Sequence, residues 1–329
     1  MKILIVGMGS IGLRHLNNIL SLYPESEIIV LRHSKAVETE IIPGISRFFY
    51  SLSDAIEANP DVAFLTNPAP FHIPVALELA KHGIHIFIEK PLSHDLNGVY
   101  EFLKICKKNN IVVMIGYNLR YKKSLSILKD TINSGLIGRI LSFRCEVGQY
   151  LPDWRIKTDY HHSVSARKEL GGGVLLELSH EIDFARLLLG EFDTVCAISG
   201  KYSDLDIDVE DIAEITIQFR SGVVGNIHLD MVNQAKTRNC QIIGSKGTLF
   251  WDVLDNSLKL FSRGSSEWSY LIPPYIIDTN QTYLDEIQHF FDCIRESRVP
   301  AVSIMDGIAV LEIIHAIRES SSEKRCTKV

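Results

Sequence analysis

Up to about residue 121 the chain alternates between two kinds of segment. Short, continuous runs of apolar and β-branched residues occur at Lys2–Val6, Glu27–Leu31, Val62–Thr66, Ile84–Ile88 and Val112–Gly116. Between most of them lie stretches with apolar residues at helical spacing, including Ile11–Leu22, His72–His82 and Leu96–Lys108. A strand that is apolar at every position is buried on both faces, and helices between such strands are crossovers. The pattern therefore predicts a doubly wound parallel sheet.

The rhythm changes after Leu136-Ile137-Gly138. Longer runs with a period of two follow at Ile140–Tyr150, Thr194–Ser199, Ala213–Phe219, Val223–Asp230 and Asn239–Ile243, some separated only by turn residues such as Arg220-Ser221-Gly222. This predicts antiparallel hairpins in a second sheet. One helix is expected to begin after Gly171-Gly172-Gly173 and to continue through Leu189. Two more, Tyr283–Glu296 and Met305–Glu319, close the chain. The length of 329 residues suits two domains. The expected division is 1–121 and 122–329.

The formal net charge of -6 and the lack of a basic stripe argue against a nucleic-acid binder. Lys324, Arg325 and Lys328 follow a run of serines and read as a frayed tail. The six cysteines, Cys106, Cys145, Cys196, Cys240, Cys293 and Cys326, show neither zinc-knuckle nor redox-pair spacing, which predicts buried free thiols in a reducing compartment. The N-terminal apolar run is broken by glycines and precedes no small-residue cleavage site. No apolar stretch reaches membrane-spanning length. A cytoplasmic protein with no membrane partner is expected.

Gly7-Met8-Gly9-Ser10-Ile11-Gly12 follows the first strand and opens a helix. That context makes G-x-G-x-x-G a dinucleotide site. The first glycine makes the turn, the second admits the pyrophosphate to the backbone, and the third lets helix and strand pack closely. Gly7, Gly9, Ser10, Ile11 and Gly12 are thus candidate cofactor contacts on a Rossmann domain. An NAD site usually carries an acid at the end of the second strand. Here that strand runs into Arg32-His33-Ser34-Lys35, whose donors suit a 2′-phosphate. NADP is the preferred cofactor, with NAD as the alternative.

Three signals at matching spacing carry a resemblance: the glycine motif, Thr66-Asn67-Pro68 leading to His72, and Glu89-Lys90-Pro91 at a strand end. With them the chain resembles, over nearly its whole length, the glucose–fructose oxidoreductase/inositol dehydrogenase (Gfo/Idh/MocA) family. The resemblance implies an α/β fold: an N-terminal Rossmann domain, then an α/β domain on a large, mostly antiparallel sheet. It implies a sugar, nucleotide-sugar or cyclitol substrate, and a homodimer or homotetramer. It adds Thr66, Asn67, Pro68, His72, Glu89, Lys90, Pro91 and Asn118 to the cofactor contacts, and often a cis bond before the proline. Lys90 would donate to the substrate hydroxyl and stabilise a developing alkoxide. Glu89 would orient Lys90 or contact the ribose.

On the helix after the triple glycine, Glu177, His180 and Asp183 recur at i, i+3 and would form one polar stripe. His180 reads either as a structurally bonded histidine or as the base for the hydroxyl proton, and the resemblance selects the base. Many catalytic members have Asp four residues before the histidine. Leu176 stands there in this chain, with Glu177 next to it as the substitute. The catalytic set is Lys90, His180 and Glu177. Arg120, Trp154 and Arg155 join these three as substrate contacts: Arg120 lies in a segment that lines the family's cleft, and Arg155 with Trp154 suits a carboxylate or phosphate beside a sugar face. That loop equally suits a subunit contact. His161-His162 lacks metal-ligand spacing, and no metal is expected. The segments at 153–155 and 165–170 are similar to members that accompany surface-glycan synthesis, which points to a nucleotide or amino sugar. The altered carboxylate keeps open a non-catalytic dinucleotide-binding regulator of the same fold. NAD-assisted glycoside hydrolysis is a third reading.

Overall fold

The structure, a computed structural model, describes residues 1–33, 42–155, 159–276 and 278–329. It divides the chain into two compact units, one of residues 1–118 with 279–311 and the other of 119–278 with 312–329. The segment 279–311, which the sequence rhythm assigned to the C-terminal domain, thus belongs with the first unit.

The first unit is built on β1 (Lys2–Val6), α1 (Ser10–Leu22), β2 (Glu27–Leu31), β3 (Ile45–Phe49), α2 (Leu52–Glu57), β4 (Val62–Leu65), α3 (His72–Lys81), β5 (His85–Glu89), α4 (Val99–Asn109) and β6 (Val113–Gly116). All sheet pairings are parallel, in the order β3-β2-β1-β4-β5-β6. The central strands are apolar at nearly every position because both faces are covered: Ile3, Leu4, Ile5, Phe64, Phe87 and Ile88 are wholly buried. Strand order reverses between β1 and β4. At such a switch point the carboxyl ends of neighbouring strands leave a crevice for ligands. Here those ends deliver Gly7 and Thr66. The edge strand β3 lacks a continuous apolar run because only Phe49 is buried, which is why the sequence pattern passed over it.

The second unit contains α5 (Lys123–Asn133), β7 (Ile140–Gly148), α6 (Val174–Glu177), α7 (His180–Leu189), β8 (Phe192–Gly200), β9 (Ile212–Phe219), β10 (Val224–Asp230), β11 (Thr237–Gly244), β12 (Gly247–Asp252), β13 (Leu258–Ser262) and β14 (Ser269–Ile272). Gln281–Glu296 forms α8 in the first unit, α9 is Ile304–Glu323, and β15 (Thr327–Lys328) returns to the second. The nine strands run β14-β13-β12-β11-β7-β10-β9-β8-β15, antiparallel except for β7 with β10. β9 shows the alternation most clearly, with Ala213, Ile215, Ile217 and Phe219 buried and Glu214, Thr216 and Gln218 exposed.

Three expectations need correcting. The helix expected from residue 174 to 189 is two helices. The chain breaks at Leu178 and Ser179, and the Ser179 hydroxyl donates to the Leu176 carbonyl at 3.0 Å. Cys196 and Cys326 form a disulfide rather than two free thiols, because β15 pairs with β8 and brings together cysteines 130 residues apart. The C-terminal tail is likewise ordered: Lys328 pairs with Asp193 at 2.6 Å, and the Val329 N–H donates to the Asp193 carbonyl. No helix among the described residues is long and apolar enough to cross a membrane.

Candidate active site

The glycine loop joins β1 to α1. Gly7 has φ +92°, and a Cβ there would lie 2.9 Å from the Asn67 nitrogen. A Cβ on Gly12 would fall 2.4 Å from the Gly7 carbonyl oxygen and 2.8 Å from Thr66 Oγ1. These two glycines are required by the protein's own packing. Gly9 differs: a Cβ there would meet no protein atom within 4 Å. It caps α1, whose first turn receives no side-chain cap. The loop therefore presents open backbone and a helix N-terminus, the two features that a pyrophosphate site requires.

The adjacent strand end holds this loop in place. Thr66 Oγ1 lies 3.0 Å from the Val6 carbonyl oxygen and 2.8 Å from that of Gly7. After Pro68 the chain makes a 3-10 turn, Ala69–Phe71, and enters α3 at His72. The buried His72 ring spans two segments. Nε2 is 2.7 Å from the Asn67 carbonyl oxygen and Nδ1 is 3.0 Å from that of Pro91. Burial lowers its pKa, against the carbonyls, which raise it. Asn67 Oδ1 is buried with no hydrogen-bond partner among the described residues, an acceptor left over for a ligand.

β5 ends at Glu89, and the Lys90–Pro91 bond is cis. Glu89 Oε2 accepts the Lys90 backbone N–H at 3.1 Å, and Oε1 lies 2.6 Å from Nε2 of the fully buried His15. Glu89 is thus tied to Lys90. Both of its oxygens face protein groups. Asn118 donates to Thr282 Oγ1 at 2.9 Å. At the end of β2 the Arg32 guanidinium lies over the Phe48 ring, 4.5 Å from its centroid. His33 is exposed. Ser34 and Lys35 lie outside the described residues.

In the second unit the triple glycine serves packing. A Cβ on Gly172 would lie 2.4 Å from the Val164 carbonyl oxygen, and one on Gly173 2.7 Å from the Glu210 carboxylate. With the helix broken, Glu177 and His180 sit on successive helices, both half-buried, so the continuous polar stripe is not formed. Leu176 is buried, 1% exposed. Asp183 receives a forked ion pair from Arg120 (Nε–Oδ2 2.8 Å, Nη2–Oδ1 2.6 Å), and Glu181 receives one from Arg238. The sequence reading missed both partnerships. The signal was two acids among the buried positions of a mainly apolar helix. Trp154 donates through Nε1 to the Gln149 carbonyl at 2.9 Å, and Arg155 is exposed. His161 is engaged by Asp159 and stacks on Tyr160.

Two family descriptions match the chain in series: an oxidoreductase family NAD-binding Rossmann fold over residues 1–117, and the C-terminal alpha/beta domain of the same family over 129–329. The myo-inositol 2-dehydrogenase of Thermotoga maritima is 27% identical, covering 100% of this chain and 98% of its own. The levoglucosan dehydrogenase of Pseudarthrobacter phenanthrenivorans is 29% identical over 84% and 83%. Among solved structures, a levoglucosan dehydrogenase in complex with NADH superposes with a TM-score of 0.89 at 24% identity, covering 100% of this chain and 99% of that one.

Proposed function

The chain belongs to the Gfo/Idh/MocA oxidoreductase family, and from that premise we propose a nicotinamide-dependent dehydrogenase acting on a CH–OH carbon of a sugar or cyclitol. The observation that carries this reading is the continuity of the first unit's loops. One chain of contacts runs from the Gly7 carbonyl, two residues before the open Gly9, through Thr66, Asn67 and His72 to Pro91, next to Lys90. A dinucleotide lying on the glycine loop shares its frame with an amine at the carboxyl end of β5.

When bound, the cofactor supplies a hydride acceptor or donor at the nicotinamide ring. The chain's residues handle the rest. Lys90 donates to the substrate oxygen and stabilises negative charge as it develops there. His180 takes the hydroxyl proton in oxidation and returns it in reduction. Glu177 orients His180 in place of the aspartate absent at Leu176. Trp154, Arg155 and Arg120 belong to the substrate side, Arg120 through its hold on Asp183. The activities of these relatives, on myo-inositol and levoglucosan, favour a ring bearing several hydroxyls over the nucleotide sugar.

For the cofactor we favour NADP. A guanidinium held over Phe48 and the lack of an acid in Arg32-His33-Ser34-Lys35 suit a 2′-phosphate. A homodimer or homotetramer is proposed as well, since strands of the nine-stranded sheet expose Ile198 (64%) and Val224 (51%). The test is a panel of cyclitols, anhydrosugars and nucleotide sugars incubated with NADP or NAD, following the absorbance of the reduced cofactor. Reduction with any polyol supports the reading. Tight dinucleotide binding with a redox-neutral product identified by mass spectrometry would instead favour hydrolysis.

A further inference from the structure

Behind the Lys90 turn three ionisable side chains meet in the core of the first unit. His15 comes from α1, Glu89 from the end of β5 and Glu286 from α8. They are 0%, 8% and 0% exposed, and one polar atom from each lies within 4.8 Å of the others. Their surroundings are aromatic: the His15 ring centroid is 5.5 Å from that of Phe64, 5.1 Å from Phe87 and 6.1 Å from Tyr283. Both oxygens of Glu286, and Nδ1 of His15, have no hydrogen-bond partner among the described residues. Buried acids in an apolar box cost several kcal/mol unless neutralised. A core built only for stability would carry Leu or Met here.

Two occupants are chemically available to such a cluster, a metal ion and a proton. The His15 Nε2 to Glu89 Oε1 distance of 2.6 Å decides between them. Ligands at about 2.0–2.1 Å in tetrahedral geometry sit roughly 3.3 Å apart, whereas a charge-assisted hydrogen bond is this short. Two carboxylates with oxygens within 4.8 Å of one another in an apolar core disfavour double ionisation, which favours a proton on one of them. Glu89 has two hydrogen-bonding nitrogens facing it, His15 Nε2 and the Lys90 backbone N–H. Glu286 has none, which favours its neutral acid.

We propose that neutral Glu286 and His15 are positioning residues that hold the Glu89 carboxylate, and through its Oε2 the Lys90 backbone, in place for catalysis. This rests on the reading of Lys90 given above. Among the described residues the ionisable groups that also act on the cluster include His72, which feels the Glu89 charge, Tyr283, and Arg14, whose guanidinium lies 4.5 Å from the Tyr283 centroid. Burial first, and then the Glu89 charge, push the Glu286 carboxyl well above its ordinary range. At Gly116 on β6, a Cβ would stand 3.2 Å from Glu89 Oε2, so the neighbouring strand also leaves room for this carboxylate.

The experiment compares Glu286→Gln, Glu286→Leu and His15→Leu with the wild type. Infrared spectra at neutral pH should show the carbonyl stretch of a protonated carboxyl that vanishes in Glu286→Gln. This readout does not depend on activity. In the steady state, His15→Leu and Glu286→Leu should lose about tenfold to a hundredfold in kcat, the scale seen when a group that orients an active-site residue is removed. Their NADPH affinity should stay within about twofold, and Glu286→Gln, isosteric with the neutral acid, should recover kcat. No protonated-carboxyl band, or wild-type kcat in both leucine variants, overturns the proposal. A wild type that binds no nicotinamide cofactor defeats the parent reading instead, and the infrared band still reports on the proton.

Discussion

Arg120 grips Asp183 with two parallel hydrogen bonds, at 2.8 and 2.6 Å, and the two side chains are only 8% and 2% exposed. Removing one member takes from the other, nearly buried charge the two hydrogen bonds that neutralise it. Arg120→Ala is expected to destabilise the protein by about 3–5 kcal/mol, as measured by urea denaturation. Replacing both residues with apolar ones of similar size should cost much less. Equal losses in the single and the double variant would show that the pair is not a unit.

The glycine loop makes a paired prediction. Gly12→Ala places a methyl against backbone that cannot withdraw and should lower both stability and cofactor affinity. Gly9→Ala meets no protein atom within 4 Å, so stability should be kept while NADPH binding weakens by about tenfold, or roughly 1.4 kcal/mol. Calorimetric melting and a cofactor titration on both variants separate these effects. Unchanged binding in Gly9→Ala would mean that the dinucleotide does not approach this loop.

His228 lies between two carboxylates, Nε2 at 3.0 Å from Asp230 and Nδ1 at 2.7 Å from Glu214. The hydrogen bond with Asp230, helped by Glu214 and opposed by burial, raises its pKa to about 9. A histidine whose folded pKa exceeds its unfolded one stabilises fully below the unfolded value, about 6.5, and loses that contribution as pH rises through about 9. Denaturation midpoints followed from neutral to alkaline pH should therefore fall in the wild type more steeply than in His228→Gln. Parallel slopes would remove His228 as the cause.

The disulfide fastens the C-terminal strand to β8. Closing a loop of 130 residues can stabilise by up to about 5 kcal/mol. Cys326→Ser, or reduction, should lower the melting temperature. Intact mass after alkylation without reductant should show four modified cysteines and one unlabelled pair. Six modified cysteines would contradict the pairing.

Much of this was legible along the chain. The buried strands β1, β4, β5 and β6 were visible because a short run apolar at nearly every position, bounded by turn residues, favours a strand covered on both faces, and the glycine loop because of its place between strand and helix. His15 was legible too in retrospect: it stands on the buried stripe of α1 with Gly12, Leu16 and Ile19. So was Glu286, four residues from both Thr282 and Phe290 on the buried stripe of α8. A polar residue on an apolar stripe marks a site, but its partners come from distant strands and helices, which spacing cannot identify. The break at Leu178-Ser179 had no Pro or Gly to announce it, only a serine that returns its hydroxyl to a carbonyl. The Cys196–Cys326 pair depends on a two-residue strand too short to carry a pattern.

The proton chemistry makes a separate kinetic demand. Lys90→Met and His180→Asn should each reduce turnover by at least about 100-fold, the scale of general acid–base groups. Rates of cofactor reduction in the two variants check this. Near-normal turnover in either removes that residue from the reaction.

The most direct test of the whole account is a fluorescence titration of the purified protein with NADPH and with NADH. Saturable binding, tighter for NADPH and losing that preference in Arg32→Ala, is the predicted result. Tighter NADH binding would retain the oxidoreductase and reverse the cofactor preference. No binding of either dinucleotide would contradict the account at its root.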